Sequence, residues 1–323
     1  MNILLWHVHA AWTTAFVQGP HTYLLPTTRE RGPYGRGRAR TYPWPPSCVE
    51  VTPDELATAE VDLIVLQRPE EWQLAARWLR REPGRDVPVV YVEHNTPRRD
   101  VPDSRHPMAD RDDVTLVHVT HFNDLFWQAG ATRTVVVEHG IPVPAVSYTG
   151  ELARIAVAVN EPLRRGRVAG TDLLPRFSEA AGLDVYGIGA GALRWDVPPG
   201  TGLYDDPPQP ELHRQLARHR VYLHPFRWTS LGLSLLEAMM IGAPVVALAT
   251  TEAVEAVPSH AGVLSTRVDT LVEAVQWLIA DPQTATELGA RGRAAVSARY
   301  GLDRFTSAWE RLFREVIPCM SHR

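Results

Sequence analysis

The residues of this chain that could do chemistry are its 13 histidines and 33 cationic side chains, and every one of the latter is an arginine. A chain without lysine forms no Schiff base and cannot be a P-loop enzyme, so a phosphate clamp here has to be built from arginine. Arg164, Arg165 and Arg167 are the candidates. They lie just past the apolar run Ile155–Val159 and just before Gly170-Thr171, where a helix is expected to start, and arginines facing a helix N-terminus make a diphosphate site. A solvated basic loop is the plain alternative. A second arginine-rich stretch, Thr27–Ser47, sets Arg29, Arg31, Arg36, Arg38 and Arg40 against Glu30 alone. It reads as a loop, either a mobile surface segment or a flap that receives an anionic acceptor group.

The histidines gather where apolar runs end: His7 and His9 after the first, Glu93-His94-Asn95 after Val87–Val92, His118 and His121 around the end of Val114–Val119, and Glu138-His139 after Thr134–Val137. Ligands of open parallel sheets bind beyond the carboxyl ends of strands. Taken singly, each histidine also reads as a hydrogen-bonded residue at a strand terminus. No H-E-x-x-H, no C-x-x-C and no histidine pair at i, i+4 occurs, which disfavours a metal. Gly187-Ile188-Gly189-Ala190-Gly191 follows a strand but is succeeded by two prolines and no clear helix start, so it reads as a tight turn near a base or ribose.

The most specific stretch is His224-Pro225-Phe226-Arg227-Trp228-Thr229-Ser230-Leu231-Gly232, continuing through Leu233–Ile241 to Gly242-Ala243-Pro244-Val245-Val246. A strand meets a Ser/Thr/Gly turn able to aim amides at phosphate, a helix follows, Gly242 ends it and Pro244 opens the next strand. Glu237 stands two turns into that helix among Leu235, Leu236, Ala238, Met239 and Met240, which leaves little room for a solvated face. A carboxylate there could accept hydrogen bonds from ribose hydroxyls.

Elements that must position these residues alternate as in parallel sheets. Strands are expected at Asn2–Val8, Val61–Leu66, Val87–Val92, Val114–Val119 and Thr134–Val137, with a helix that Pro69 opens, Leu74, Trp78 and Leu79 mark and Pro83-Gly84 ends, and another over His121–Ala129 capped by Thr120 and closed by Gly130. Pro142-Val143-Pro144 marks a boundary. A second set then runs through strands Ile155–Val159, Leu183–Ile188, Val221–Leu223 and Pro244–Leu248, with helices near Thr171–Ala181, Leu233–Ile241 and Leu271–Ala280. Phe305, Trp309, Leu312, Phe313 and Val316 share one face of a final helix.

The segment around Glu237 resembles the donor-binding part of retaining GT-B glycosyltransferases of the glycogen synthase and phosphatidylinositol mannosyltransferase type (family 4-like), whose pattern is E-x7-E followed by A-M-x-x-G-x-P-V-V. The likeness extends to Ala261-Gly262-Val263-Leu264, to Leu288-Gly289-Ala290-Arg291-Gly292-Arg293 and to the terminal helix with Trp309, and is weaker over residues 1–145. It implies an α/β GT-B fold of two Rossmann-like domains facing across a cleft: residues 1–145 on the acceptor side, 146–302 for the donor, and 303–323 as a helix packing back on the N-terminal domain. It puts Glu237 on the donor ribose, Thr229 where the family has its first glutamate, and Ser230, Leu231 and Gly232 beside the diphosphate with the three arginines. His94 resembles the histidine placed near the donor sugar and Gly19-Pro20-His21 the turn opening the first helix, with His7, His9, Trp12, Gly19 and His21 on the acceptor side. The implied activity is metal-independent, cofactor-free glycosyl transfer from a nucleotide sugar to an acceptor glycan, lipid or small molecule. A catalytically silent nucleotide-sugar binder and a nucleotide-sugar epimerase are the alternatives, the first favoured by Thr229.

Composition agrees with a folded two-domain protein: 323 residues, 45% apolar, 22% charged, 27 prolines. A net charge of -4 argues against nucleic acid. Cys48 and Cys319 are too few for a disulfide framework and suit a reducing cytoplasm. The apolar run Ile3–Trp6 and the later ones are too short for a signal or a span, leaving at most peripheral membrane contact.

Overall fold

The computed structural model describes residues 1–317 and divides the chain into two units, Met1–Gly140 with the C-terminal segment from Leu302, and Ile141–Gly301. The sequence-expected breaks at 145/146 and 302/303 fall slightly later than these. Cys319 lies outside the described residues.

In the first unit, β1 (Asn2–Leu5), α1 (Ala10–Phe16), β2 (Thr22–Pro26), β3 (Cys48–Val51), α2 (Pro53–Leu56), β4 (Leu63–Leu66), α3 (Glu70–Leu79), β5 (Val89–Glu93), β6 (Thr115–His118), α4 (His121–Phe126) and β7 (Arg133–Val136) follow one another. The seven strands form one parallel sheet in the order β3-β2-β1-β4-β5-β6-β7. Leu63, Ile64, Val65 and Leu66 are all fully buried, as they must be in a sheet covered on both faces.

The second unit runs β8 (Leu152–Ala158), α5 (Pro162–Ala169), a 3-10 turn Thr171–Leu173, α6 (Leu174–Ser178), β9 (Gly182–Gly187), a 3-10 helix Ala190–Trp195, β10 (Gly202–Asp205), α7 (Gln209–Arg218), β11 (His219–His224), α8 (Leu233–Ile241), β12 (Val245–Leu248), α9 (Ala253–Ala256), β13 (Val263–Ser265), α10 (Val268–Ala280) and α11 (Pro282–Tyr300). Its parallel sheet has the order β10-β9-β8-β11-β12-β13. Each sheet reverses strand order once, at β1/β4 and at β8/β11, and such reversal points are where doubly wound sheets open a crevice. The last helix, α12 (Leu302–Val316), belongs to the first unit, where Phe305, Trp309, Leu312, Phe313 and Val316 are all buried and Trp309 stands 4.9 Å from the Phe16 ring.

Several local expectations are corrected. β2, β3, β10 and β13 have no counterpart among the strands expected from the sequence: the first three lie beside arginine, glycine or proline, and β13 has only three residues. The helix expected at Thr171–Ala181 is a 3-10 turn plus the short α6, and the arginines before it stand on a helix of their own, α5, kinked at Gly166. Gly189 starts the 3-10 helix that Ala192–Gly200 did not suggest. α4 stops at Phe126, three residues short of Ala129, although Thr120 does cap it, accepting from the Asn123 amide at 3.1 Å. Gly19 follows α1 instead of opening it.

The Arg-rich stretch 27–47 is a structured loop. Arg38 donates to the carbonyls of Trp44 (2.6 Å), Cys48 (2.7 Å) and Pro45 (3.0 Å), and Arg31 meets Glu50 in a bidentate pair with both bonds at 2.8 Å.

Candidate functional site

In the second unit the candidate residues collect beyond β8 and β11. The chain leaving β11 passes His224, Pro225 and Phe226, turns through Arg227–Gly232 and enters α8. His224 is buried and stacked on Phe226 with ring centroids 4.4 Å apart, and burial together with nearby Arg165 lowers its pKa to about 3, so it is a neutral imidazole. Gly232 caps α8 without a side chain, and a Cβ there would overlap the His224 ring, which explains glycine at this position.

Helix α5 is docked onto the same segment through its backbone. The amides of Arg227 and Trp228 donate to the Val168 carbonyl at 2.9 and 3.3 Å, and Gly170, at φ 72°, passes so close to the Pro225 carbonyl that a Cβ would collide with it. The three arginines then diverge. Arg164 pairs with Glu161 on the surface, and Arg167, 76% exposed, pairs with Asp172 at 3.1 Å. Asp172 is also held by Arg227 at 2.5 and 2.9 Å, and these partners keep its carboxyl below the usual range. Arg165 alone of the three turns to the strand end, its guanidinium 5.0 Å from the centre of the Phe226 ring.

Glu237 is buried on α8, its side chain 9% exposed, and the reading of a solvated surface glutamate is excluded. Its Oε1 accepts from Gln209 Nε2 at 2.6 Å, and His213 Nε2 lies 3.6 Å from the same oxygen. Both partners stand on α7. Neither was singled out in the sequence, because they come from a helix some 25 residues upstream with no motif of its own. Ser230 and Leu231 are buried and Thr229 is half-buried. The glycine run after β9 is a tight turn with two of its amides already used: Ile188 N donates to Asn160 Oδ1 at 3.0 Å and Gly189 N to Asp205 Oδ1 at 2.5 Å.

The first unit brings three of the strand-end histidines together. The His9 and His94 rings are 4.2 Å apart and Trp12 meets His94 edge-on at 4.9 Å. Burial first, then the neighbouring His9 and His139, hold His94 well below the ordinary imidazole value, and burial brings His139 to about 3. His94 and His139 are neutral at physiological pH. His94 Nε2 and both nitrogens of His139 are buried without a hydrogen-bond partner among the described residues.

The other acceptor-side candidates have structural duties. His7 Nδ1 bonds the Gly37 carbonyl at 3.0 Å, tying β1 to the Arg-rich loop. Trp12 is fully buried against Phe16, Phe305 and Trp309, and His21 Nε2 lies 2.6 Å from Glu310 on α12, so neither is placed as an open contact for an acceptor. His118, buried with no hydrogen-bond partner for either nitrogen among the described residues and a pKa lowered to about 4, faces Asp124 and His106. Among the described residues no group of three or more metal-ligating side chains comes together, and no helix is long and apolar enough to cross a membrane.

Residues 201–281, from β10 through α10 and including Glu237, match the family described as glycosyl transferases group 1. The two doubly wound units have the GT-B fold, and the matched segment of the second is that of group 1 glycosyl transferases. Among solved structures the chain is similar to a sucrose-phosphate synthase from Thermosynechococcus elongatus, with TM-score 0.73 at 15% identity over 98% of this chain and 99% of that one. HepE from Anabaena, solved with UDP, gives 0.68 at 15% identity over 97% and 99% of the two chains. A glycosyltransferase from Rickettsia africae gives 0.64 at 10% identity over 98% of each. At these identities the likeness establishes the fold. No curated protein matches the sequence.

Proposed function

We propose that this glycosyltransferase takes its sugar from a nucleoside diphosphate donor, transfers it to an acceptor hydroxyl with retention, and needs neither metal nor cofactor. The Ile141–Gly301 unit takes the donor. The observation that carries this is Glu237: a buried carboxylate within the matched segment, with Oε1 engaged by Gln209 and Oε2 carrying no hydrogen bond among the described residues. An anionic acceptor of that kind suits vicinal ribose hydroxyls. Arg165, beside Phe226 at the β8/β11 reversal, and the amides leading into α8 answer the charge that develops on a departing diphosphate. HepE has been solved with UDP-glucose, which supports a nucleotide sugar as donor class. Neutral His94 is assigned to the transferred sugar, and the Met1–Gly140 unit to an acceptor glycan, lipid or small molecule. A two-cysteine chain suits the reducing cytoplasm.

Thermal unfolding with UDP, GDP, ADP, TDP and their sugars is the first test, since a ligand that binds only the folded state stabilises it by RT ln(1 + [L]/Kd). Calorimetry on Glu237→Gln with the best nucleotide then tests the ribose contact, with an expected loss of about 1.5–3 kcal/mol. Unchanged affinity in a folded variant removes Glu237 from the donor site. Thr229 in the position of the first motif glutamate favours one second reading, a silent nucleotide-sugar binder. Release of nucleoside diphosphate from the stabilising donor, faster in wild type than in His94→Ala, marks an enzyme; equal background rates mark the binder.

A further inference from the structure

Glu237 lies on a helix whose other buried neighbours are apolar: Leu235, Leu236, Ala238, Met239, Met240 and Ile241. A carboxylate in such surroundings rotates and pays heavily for desolvation unless its orientation is fixed by donors. Those donors come from α7. Pro208 stands just before the helix and Gln209 is its first residue, itself buried, so its amide group has little freedom and reaches Oε1 at 2.6 Å. One helical turn on, His213 presents Nε2 to the same oxygen from 3.6 Å, and that nitrogen is buried with no hydrogen-bond partner among the described residues. One donor and one unpartnered imidazole nitrogen therefore face the same oxygen, and the other oxygen carries no hydrogen bond among the described residues.

We infer that Gln209 and His213 are positioning residues that clamp Oε1 of Glu237 and thereby present Oε2 to the two ribose hydroxyls, making α7 the origin of discrimination between ribonucleotide and deoxyribonucleotide donors. The inference rests on the reading of Glu237 as the ribose ligand. Gln209 supplies the fixed bond. The short gap to His213 closes when the ligand draws the carboxylate to its final position, giving the unpartnered imidazole N–H its acceptor. Loss of either donor frees the carboxylate to rotate, and a rotated carboxylate meets one hydroxyl instead of two. Contacts to the diphosphate and base are unaffected by that rotation, so the defect appears as weaker binding of the ribonucleotide with binding of the 2′-deoxynucleotide little changed.

The experiment compares Kd values for UDP against 2′-deoxy-UDP, GDP against 2′-deoxy-GDP and ADP against 2′-deoxy-ADP, and follows the pair whose ribonucleotide binds most tightly. Wild type is expected to prefer the ribonucleotide by at least 10-fold. In Gln209→Leu and in His213→Phe the preference should fall at least 5-fold, while affinity for the 2′-deoxynucleotide changes less than 2-fold. That last figure is the one a general loosening of the fold would move. His213→Gln, which keeps a donor of similar reach, should restore most of the preference and serves if His213→Phe does not fold. If wild type binds nucleoside diphosphates with no ribose preference, Glu237 is not the ribose ligand and both readings fall. If wild type discriminates and the folded variants discriminate equally, Glu237 keeps its role and the clamp is overturned.

Discussion

Of the three arginines with the same side chain and almost the same sequence position, one differs in what it touches. Arg164 and Arg167 are neutralised on the surface by Glu161 and Asp172, and exposed pairs of that kind contribute little. Arg165 lies over Phe226 at the strand end, where an anion would meet both a guanidinium and the amides entering α8. Arg165→Ala is therefore expected to cut the preference for nucleoside diphosphate over nucleoside about 10-fold, while Arg164→Ala changes it less than 2-fold. Titration calorimetry with the best base decides this, and equal effects of the two substitutions would place the clamp elsewhere.

The elements that hold these residues depend on close backbone approaches. α8 ends at Gly242, in the left-handed region at φ 96°, and α11 packs Gly289 directly against the Gly242 carbonyl. A methyl group at 289 has no room, so Gly289→Ala should destabilise the second unit by about 1–3 kcal/mol through forced displacement of α11 from α8. Chemical denaturation reads this as a shifted midpoint at unchanged slope. Residue 242 needs glycine for its conformation and residue 289 needs it for its proximity. Gly166, whose added Cβ would meet nothing, is a contrasting site: its φ of 42° favours glycine, yet no neighbour demands it.

Among the described residues, burial lowers the pKa of His118 to about 4 and of His139 and His224 to about 3, holds His94 well below its ordinary value and lowers that of His7 as well. Their folded pKa values lie below the unfolded value near 6.5, so between these limits the unfolded chain binds more protons than the folded one and stability falls as pH falls. Each such group contributes about 1.4 kcal/mol per pH unit inside its window. The melting temperature is expected to hold above pH 7 and to drop progressively from about pH 6.5 toward 4. His118→Phe, removing a titrating group outside the proposed site, should flatten that dependence. A melting temperature independent of pH between 6.5 and 4.5 would show that these imidazoles accept protons in place.

How much of this was legible in the sequence depends on whether the signal is local. The parallel two-unit α/β organisation follows from short apolar runs punctuated by caps and prolines, because alternation of buried strands and amphipathic helices is written along the chain itself. The α8 segment was readable to the residue: Gly242 ends the helix and the crowding of Leu235, Leu236, Met239 and Met240 announces a buried Glu237. The apolar stripe of α12 was equally plain. Only tertiary structure separated Arg165 from Arg164 and Arg167, buried Trp12 and turned His21 toward Glu310, since helix phase and distant partners decide which way neighbouring side chains point. It alone folded the Arg-rich loop onto its own carbonyls through Arg38, which composition presented as solvated. It also set Gln209 and His213 of α7 beside Glu237 of α8, a meeting created by the crossing of two helices and carried by no pattern along the chain.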